Sequence, residues 1–323
     1  MGSVSRDAVG EQVNKRSRRG VVIRASLALL CFVIGLGAFV WARPLQVLFT
    51  GAQVALWLHG VHSEYTRVDG YRIHYYVGGE GKPIVLVHGL GGRSEDWTIL
   101  IPELLRGGHR VYALDLLGYG RSQQPPDASY SIAQEAGIVE HFMAAQGLTQ
   151  TDLAGWSMGG WVAMRVALDE PQAIRRLVLY DSAGLRFVVP YDPGLFWANT
   201  PEKVAQLNDL LSPGKAPALA GFIQRAVLRT LERNGWVIQR SVHSMLTGAD
   251  LIDGRTSELK MPMLIVWGKQ DQITPVAMAY QLHAAIPQSV LEVYDGCGHL
   301  TPRECVPQIG PATVRFLNAG NGD

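Results

Sequence analysis

Gly155-Trp156-Ser157-Met158-Gly159 decides the fold of this chain, because it is a G-x-S-x-G motif set between a predicted strand and a predicted helix. Glycines two positions before and after the serine permit a tight strand-to-helix turn that lifts the hydroxyl away from the sheet. The helix that follows points its first amide groups at negative charge developing on a substrate. The motif therefore predicts Ser157 as a catalytic nucleophile.

A serine nucleophile needs a base and an acid, and candidates for both occur later in the chain. His299 follows the last predicted strand, where an imidazole could accept the serine proton. Asp271 follows the preceding strand and would fix the tautomer of that imidazole. Asp181, at the end of the strand before that, is the alternative acid. The order Ser, Asp, His predicts a catalytic triad of Ser157, Asp271 and His299.

Two backbone amides are predicted to stabilise the oxyanion of the reaction. One belongs to Met158, directly after the nucleophile, and the other to Leu90 in the glycine-rich sequence 88–92, HGLGG. His88 is interpreted as a residue that braces this loop. With nucleophile, base and oxyanion donors assigned, the chemistry needs no metal ion and no organic cofactor.

Short apolar runs alternate with helical patterns from residue 64 onward, which predicts an α/β architecture. Two alternating strands at 64–70 and 71–79 meet at Asp69-Gly70, a hairpin signal. The later runs are continuously apolar, which is typical of a mostly parallel, eight-stranded sheet with helices on both faces. These strands are predicted at 83–89, 110–116, 151–157, 175–181, 263–269 and 290–296. Helices are predicted at 94–106, 131–147, 158–169, 275–286 and 303–318.

The interval between the strands ending at 181 and starting at 263 is far longer than a strand crossover needs. It contains an aromatic stretch at 187–197 and three helical patterns, at 201–212, 217–236 and 237–246. We therefore expect a helical lid at 185–255, inserted between a first core part at 64–184 and a second at 256–323. Ligands of open α/β sheets bind at the edge such a lid would cover.

The N-terminal part of the chain predicts a membrane anchor. Residues 1–24 hold six basic and two acidic side chains, and residues 25–42 hold no charged side chain. A basic leader before an uncharged run of this length is typical of a transmembrane helix with a cytoplasmic N-terminus. The catalytic domain would then lie on the non-cytoplasmic side, which is the periplasm in a bacterium. The apolar segment 43–63 is either a linker packed on the domain or a helix in the membrane interface.

Composition excludes several other classes of protein. A net charge of +1 provides no basic field for nucleic acid, and 47% hydrophobic against 18% charged residues excludes a disordered chain. Three cysteines form no zinc motif and no disulfide framework. Cys297 and Cys305 flank His299 and could pair outside the cytoplasm, although free thiols are the favoured expectation. The glycine-containing loops 79–82 and 115–122 are interpreted as structural turns.

Residues 64–318 resemble the α/β-hydrolase fold superfamily. The resemblance is carried by HGLGG at 88–92, DLLGYGRS at 115–122, GWSMGG at 155–160, WGKQDQITP at 267–275 and GCGH at 296–299. Together with the anchor, VLYDSAGL at 178–185 and WGKQDQI at 267–273 look like the monoacylglycerol lipase and bacterial lipase branch. That resemblance implies hydrolysis of fatty acyl esters, a small-molecule substrate class, through an acyl-enzyme on Ser157.

Other functions of the same scaffold remain open at this point. A C–C bond hydrolase, a peptidase or a perhydrolase of the superfamily would use the same three side chains. A catalytically inactive binding protein tethered to the membrane is the alternative from a different class.

Overall fold

A computed structural model describes residues 6–215 and 219–320 of the chain, and over residues 6–22 it describes the backbone alone. The chain divides into two compact units, one that ends at Leu48 and one that begins at Phe49. The second unit holds the whole sheet.

Eight strands and ten α-helices occur within those described ranges. The strands are β1 (His62–Val68), β2 (Tyr71–Gly78), β3 (Lys82–Val87), β4 (His109–Leu114), β5 (Thr151–Trp156), β6 (Ile174–Tyr180), β7 (Met263–Gly268) and β8 (Val290–Tyr294). The helices are α1 (Arg6–Ala42), α2 (Pro44–Leu58), α3 (Ile101–Arg106), α4 (Ile132–Ala145), α5 (Met158–Asp169), α6 (Pro201–Leu211), α7 (Gly221–Leu246), α8 (Ala277–Ala285), α9 (Thr301–Glu304) and α10 (Val306–Asn318). Short 3-10 turns occur at Ser94–Trp97, Pro193–Trp197 and Thr256–Glu258.

The strands form one sheet in the order β1-β2-β4-β3-β5-β6-β7-β8. The β1–β2 and β2–β4 pairs are antiparallel and every other pair is parallel. Each face of the sheet carries its own apolar cluster of strand and helix side chains. The prediction of a mostly parallel eight-stranded sheet with helices on both faces is therefore confirmed. All six residues of β5 are buried, so the strand that leads to Ser157 lies at the centre of the sheet.

Two predicted helices are each divided in the structure, and proline explains both divisions. The segment 94–106 forms the 3-10 turn Ser94–Trp97 and then α3, which has Pro102 in its first turn. The segment 303–318 overlaps α9 and α10, and Pro307 lies in the first turn of α10. Proline lacks an amide hydrogen and is favoured where a helix begins, so each proline starts a new helix.

The long interval between β6 and β7 contains the turn Pro193–Trp197 followed by α6 and α7. We expected two helical segments at 217–236 and 237–246, but α7 is one helix of 26 residues, and residues 217 and 218 lie outside the described ranges. The helix continues through Gly235, at which an added side chain would come to 3.4 Å from the Cβ atom of Trp197. That is an ordinary van der Waals distance, so α7 packs beside Trp197 without a break and this glycine does not end the helix.

The first unit contains the predicted anchor within a longer helix. Ile23–Ala42 is a stretch of 20 residues with a mean hydropathy of 2.3 and no buried side chain, long and apolar enough to cross a membrane. Helix α1 begins at Arg6, so the basic segment is helical as far as the structure describes it, and residues 1–5 of the predicted leader lie outside the described residues. Helix α2 occupies most of the segment 43–63.

One expectation about cysteine is wrong. Cys297 and Cys305 form a disulfide bond across eight residues, where free thiols were favoured. The turn between β8 and α9 returns the chain on itself and brings the two side chains together, a proximity that residue spacing does not reveal. Cys31 is the free cysteine among the described residues.

Candidate active site

Ser157 lies in a sharp turn between β5 and α5 with a strained backbone. Its φ of +56° and ψ of −121° lie in a region of backbone conformation that residues other than glycine rarely adopt. Both flanking positions must be glycine because backbone atoms of neighbouring segments lie too close for a side chain. A Cβ atom on Gly155 would lie 2.2 Å from the carbonyl oxygen of Gly159, and one on Gly159 would lie 2.2 Å from that of Val87. The turn holds the serine hydroxyl at the end of the central strand.

Three predicted side chains form a continuous hydrogen-bonded series. The hydroxyl oxygen of Ser157 lies 2.9 Å from Nε2 of His299, and Nδ1 of the same ring lies 2.8 Å from Oδ2 of Asp271. The other oxygen of Asp271 accepts hydrogen bonds from the amides of Ile273 (2.8 Å) and Thr274 (3.0 Å). A hydroxyl, an imidazole and a carboxylate are thus hydrogen-bonded in that order, which is the arrangement that serine hydrolases use.

The alternative acid, Asp181, is buried beside this series but binds other groups. Its Oδ1 accepts a hydrogen bond from the amide of Gly268 at 2.8 Å, and its Oδ2 accepts one from the hydroxyl of Thr301 at 2.6 Å. Burial, followed by the negative charge of Asp271, raises the pKa of Asp181 well above its ordinary value. Asp271, and not Asp181, is the acid whose carboxylate oxygen contacts His299.

Sequence reasoning missed two side chains that hold this series. The hydroxyl of Thr274 donates to Oδ2 of Asp271 at 2.8 Å and lies 3.2 Å from Nδ1 of His299. The indole nitrogen of Trp156 donates to the carbonyl oxygen of His299 at 2.8 Å, across 143 positions of sequence. Thr274 belongs to the same motif as Asp271, so its proximity was a usable signal, whereas nothing in the sequence pointed to Trp156.

The predicted oxyanion loop packs directly on the nucleophile. A Cβ atom added to Gly89 would lie 3.1 Å from the Cβ atom of Ser157, so the backbone of the loop 88–92 lies against the serine side chain. Leu90 lines the cavity beside Ser157, and Met158 is the first residue of α5, where amide groups have no partner within the helix. Leu90 and Met158 therefore line the same cavity as Ser157, and their assignment as oxyanion donors stays a prediction.

His88 holds this loop through both ring nitrogens. Nδ1 lies 2.8 Å from the carbonyl oxygen of Gly89, and Nε2 lies 3.1 Å from the amide of Leu116, which donates to it. Complete burial lowers the pKa of His88. A neutral ring with its proton on Nδ1 satisfies both neighbours, in agreement with its interpretation as a bracing residue.

A cavity of about 190 Å³ opens beside Ser157 and is mostly apolar. Arg186 carries the single charged side chain among the described residues that line it. The lining comprises Leu90, Ser157, Met158, Trp161, Ala183, Gly184, Leu185, Arg186, Phe187, Val189, Tyr191, Pro193, Phe196, Val242, Met245, Leu246, Gly248, Leu251, Ile273 and Thr274. Residues of the β6–β7 insertion form most of this wall, so the insertion shapes the space next to the nucleophile.

Asp181, Asp271 and His299 also offer three buried ligand atoms within 4.8 Å of one another, a spacing that could hold a cation. Each of these groups already has partners in the contacts described above. A cation would have to displace the hydrogen bond between His299 and Asp271 or those that Thr301 and Gly268 donate to Asp181. The donor set is better explained by proton transfer than by metal binding.

The loop 115–122 is structural, as interpreted from the sequence. Asp115 is buried and binds Nδ1 of His74 at 2.7 Å, the amide of Ser94 at 2.6 Å and that of Arg121 at 2.8 Å. Burial opposes ionisation, but hydrogen bonding and charge from His74 outweigh it and lower the pKa of Asp115 to about 2. The ionised carboxylate binds the ring of His74 and the backbone amides of two separate segments, at Ser94 and at Arg121.

Comparisons with known proteins agree with this architecture. The chain is similar to the crystal structure of a membrane phospholipase A, a bacterial virulence factor, with a TM-score of 0.78 and 25% identity over 96% of this chain and 100% of the other. It is 30% identical to 2-hydroxymuconate semialdehyde hydrolase of Pseudomonas putida over 77% of this chain and 91% of that protein. It is also similar to a serine hydrolase involved in carbazole degradation, with a TM-score of 0.68 and 28% identity over 80% of this chain and 99% of the other.

The family itself is shown by a match that includes the whole serine, acid and histidine series. Residues 82–302 match the family model described as the alpha/beta hydrolase fold. This range contains the strained serine turn, the sheet from β3 to β8 and His299 at its C-terminal edge. The chain belongs to the α/β-hydrolase fold family.

Proposed function

We propose that this protein is a membrane-anchored serine hydrolase that cleaves carboxylic esters of lipids. The observation that carries the proposal is the hydrogen-bonded series of Ser157, His299 and Asp271 beside a mostly apolar cavity. Such a series activates a hydroxyl, and an apolar cavity accommodates an acyl chain.

In the acylation step, Oγ of Ser157 attacks the ester carbonyl carbon while its proton moves to Nε2 of His299. Asp271 stabilises the imidazolium through Nδ1 and keeps the ring oriented. The amides of Leu90 and Met158 donate to the oxyanion of the tetrahedral intermediate. The intermediate collapses when the C–O bond to the alcohol breaks and the alcohol oxygen takes the proton from Nε2.

Deacylation repeats the sequence with water as the nucleophile. Water gives a proton to Nε2 of His299 as its oxygen bonds to the acyl carbon, and the oxyanion again binds the two amides. Breaking the bond to Oγ returns the proton from Nε2 to Ser157 and releases the fatty acid. Every proton and electron pair is accounted for by these groups and water.

Two observations support a lipid as the source of the acyl group. The cavity wall is mostly aliphatic and aromatic, which favours a chain over a polar substrate. The chain also resembles a membrane phospholipase A over 96% of its length, a range that extends beyond the sheet. An enzyme held at a bilayer meets amphiphilic esters at high local concentration.

The apolar helix Ile23–Ala42 supports anchoring, and the basic excess in residues 1–24 supports a cytoplasmic N-terminus. The catalytic domain would then face the non-cytoplasmic side, the periplasm in a bacterium. The Cys297–Cys305 bond agrees with this placement, because disulfides persist in oxidising compartments. Recovery of the full-length protein in a detergent-free soluble fraction would rule out the anchor.

Activity is tested with p-nitrophenyl esters of increasing chain length and with monoacylglycerols. We expect higher kcat/KM for fatty acyl esters than for acetate, and a loss of at least about 10³-fold in Ser157→Ala. Ser182→Ala removes a neighbouring hydroxyl that bonds only to the carbonyl of Ala183 within the described contacts, so it is a matched control and should stay active. Preference for acetyl or polar acyl groups would contradict the lipid assignment.

A second candidate is hydrolysis of a C–C bond. It is favoured by the 30% identity with 2-hydroxymuconate semialdehyde hydrolase, and Arg186 provides one positive charge in the cavity for an anionic substrate. Labelling of Ser157 by a fluorophosphonate without turnover of any ester in the series would favour this alternative. Failure of Ser157 to react with the fluorophosphonate would instead favour an inactive binding protein.

A further inference from the structure

Every hydrogen-bonding group of His299 has a partner, and one of them comes from the β6–β7 insertion. The ring nitrogens contact Ser157 and Asp271, and the carbonyl oxygen accepts from the indole of Trp156. The amide of His299 donates to the carbonyl oxygen of Leu211, the last residue of α6, at 3.0 Å. The backbone of the proposed base is therefore held between the serine turn and the insertion.

Residues 211–215, which we call the α6 terminus, make further contacts with residues 296–305, which we call the histidine loop. The hydroxyl of Ser212 donates to both carboxylate oxygens of Glu304, at 2.7 and 2.8 Å. The ammonium of Lys215 donates to the carbonyl oxygen of Gly296. Ser212 is 4% exposed whereas Glu304 is an exposed residue, so this charge-assisted hydrogen bond is half-buried.

Gly298 brings the two segments within backbone contact. An added Cβ atom would lie 2.8 Å from Cδ of Pro213 and 2.9 Å from the carbonyl oxygen of Leu211. Neither neighbour can move without shifting the α6 terminus. The absence of a side chain at Gly298 is therefore what allows the amide of His299 to reach α6.

The histidine loop itself is closed by a covalent bond. The disulfide joins Cys297 to Cys305, and Glu304 directly precedes the second cysteine. The disulfide closes a short ring of chain that contains both His299 and Glu304, so a shift of Glu304 also shifts His299. The α6 terminus contacts the histidine loop on both sides of His299, at Gly296 just before the disulfide ring and at Glu304 within it.

We propose that the α6 terminus positions His299 for catalysis, with Ser212 and Gly298 as positioning residues. The β6–β7 insertion would then have two functions. It lines the cavity, and its α6 terminus orients the proposed base. The proposal rests on the proposed serine hydrolase function.

The test compares Ser212→Ala, Gly298→Ala and Glu304→Ala in the full-length protein. We expect each to lower kcat for p-nitrophenyl butyrate by about 10-fold or more with little change in KM, because small displacements of a catalytic group are costly. The rate of fluorophosphonate labelling should fall in parallel, and the acid limb of the kcat/KM pH profile should shift. Glu304→Gln keeps an acceptor for Ser212 and should restore most of the activity.

Thr200→Ala is the matched control, because its hydroxyl caps the opposite end of α6 by accepting from the amide of Lys203 at 3.3 Å. It weakens the same helix without touching the histidine loop, and we expect its kcat and pH profile to match those of the unmodified protein. An equal loss in Thr200→Ala, or wild-type kcat and pH profile in folded Ser212→Ala and Glu304→Ala, would overturn the proposal. If Gly298→Ala does not fold, the other two variants decide.

Failure of this proposal can be distinguished from failure of the proposed function. An unmodified protein that neither turns over p-nitrophenyl butyrate nor labels at Ser157 contradicts the hydrolase assignment itself. An active, labelled protein whose positioning variants remain fully active contradicts only the role of the α6 terminus.

Discussion

Oδ2 of Asp271 lies 2.8 Å from Nδ1 of His299, whereas both oxygens of the neighbouring Asp181 bind Gly268 and Thr301. The two acids follow adjacent parallel strands, β6 and β7, and both are buried. Asp271 thus contacts the proposed base, whereas Asp181 binds Gly268 and Thr301.

Asp271→Asn should therefore abolish most activity while Asp181→Asn should not. Replacing Asp271 by the neutral amide favours the wrong tautomer of His299, and we expect a fall in kcat of about 10³–10⁴-fold. Asp181→Asn replaces a carboxyl group whose pKa burial has raised, so it should cost about 1–3 kcal/mol of stability but less than about 10-fold in kcat. Steady-state ester hydrolysis combined with urea denaturation measures both effects. A larger activity loss in Asp181→Asn would reverse the assignment.

Gly159→Ala should prevent the serine turn from forming. The new methyl group would lie 2.2 Å from the carbonyl oxygen of Val87 and 2.4 Å from that of His88, and both are backbone atoms of the sheet and oxyanion loop. We expect destabilisation of about 3 kcal/mol or more, measured as a lower urea midpoint.

Gly137→Ala in α4 is the matched control, because an added Cβ atom there meets nothing within 4 Å. Alanine is the better helix former, so this variant should be as stable as the unmodified protein or more stable by up to about 1 kcal/mol. Equal urea midpoints for the two variants would show that the close contacts at Gly159 relax at no cost.

Glu135→Gln should make the protein less sensitive to rising pH. Burial raises the pKa of Glu135 well above its ordinary value of 4.5, although the amide of Leu117 donates to it. The folded state therefore binds this proton more tightly than the unfolded state, and stability falls as the pH rises from 4.5 to the raised pKa. Glutamine still accepts from Leu117 but does not ionise.

Unfolding free energies of this variant and of the unmodified protein, measured from pH 5 to pH 8, test this sign. We expect the advantage of Glu135→Gln to grow with pH across that range. Glu80→Gln, at an exposed position, should show no such trend. A constant difference between Glu135→Gln and the unmodified protein would mean that Glu135 titrates alike in both states.

Reduction of the Cys297–Cys305 bond should destabilise the histidine loop. A bond across eight residues removes chain entropy from the unfolded state, and its loss should cost about 2–3 kcal/mol. Thermal unfolding with and without dithiothreitol measures the change. A maleimide should modify one thiol per denatured chain before reduction, at Cys31, and three afterwards, and three before reduction would contradict the bond.

Sequence patterns predicted the regular parts of this fold well, because they depend on neighbours along the chain. The continuous apolar run before Ser157 predicted a central buried strand, and the structure contains it as β5. The boundaries of helices near proline and glycine were predicted less well. Pro102 and Pro307 begin helices that periodicity alone had joined to the preceding 3-10 turn and to α9. Gly235 lies within a helix that the pattern had divided one residue later, after Trp236.

Sequence alone was enough to predict the serine turn, the succession of strands along the chain, the apolar span and the three candidate catalytic side chains. Each of these depends on short-range chemistry, such as glycine beside a strained residue or a charge-free run of hydrophobic residues. Only the tertiary structure shows that Asp271 and not Asp181 contacts His299, that Cys297 pairs with Cys305, and that Leu211 reaches the amide of His299. Each of these contacts depends on a distance of a few ångströms between segments that the folded backbone brings together. Residue type and spacing along the chain do not specify such distances.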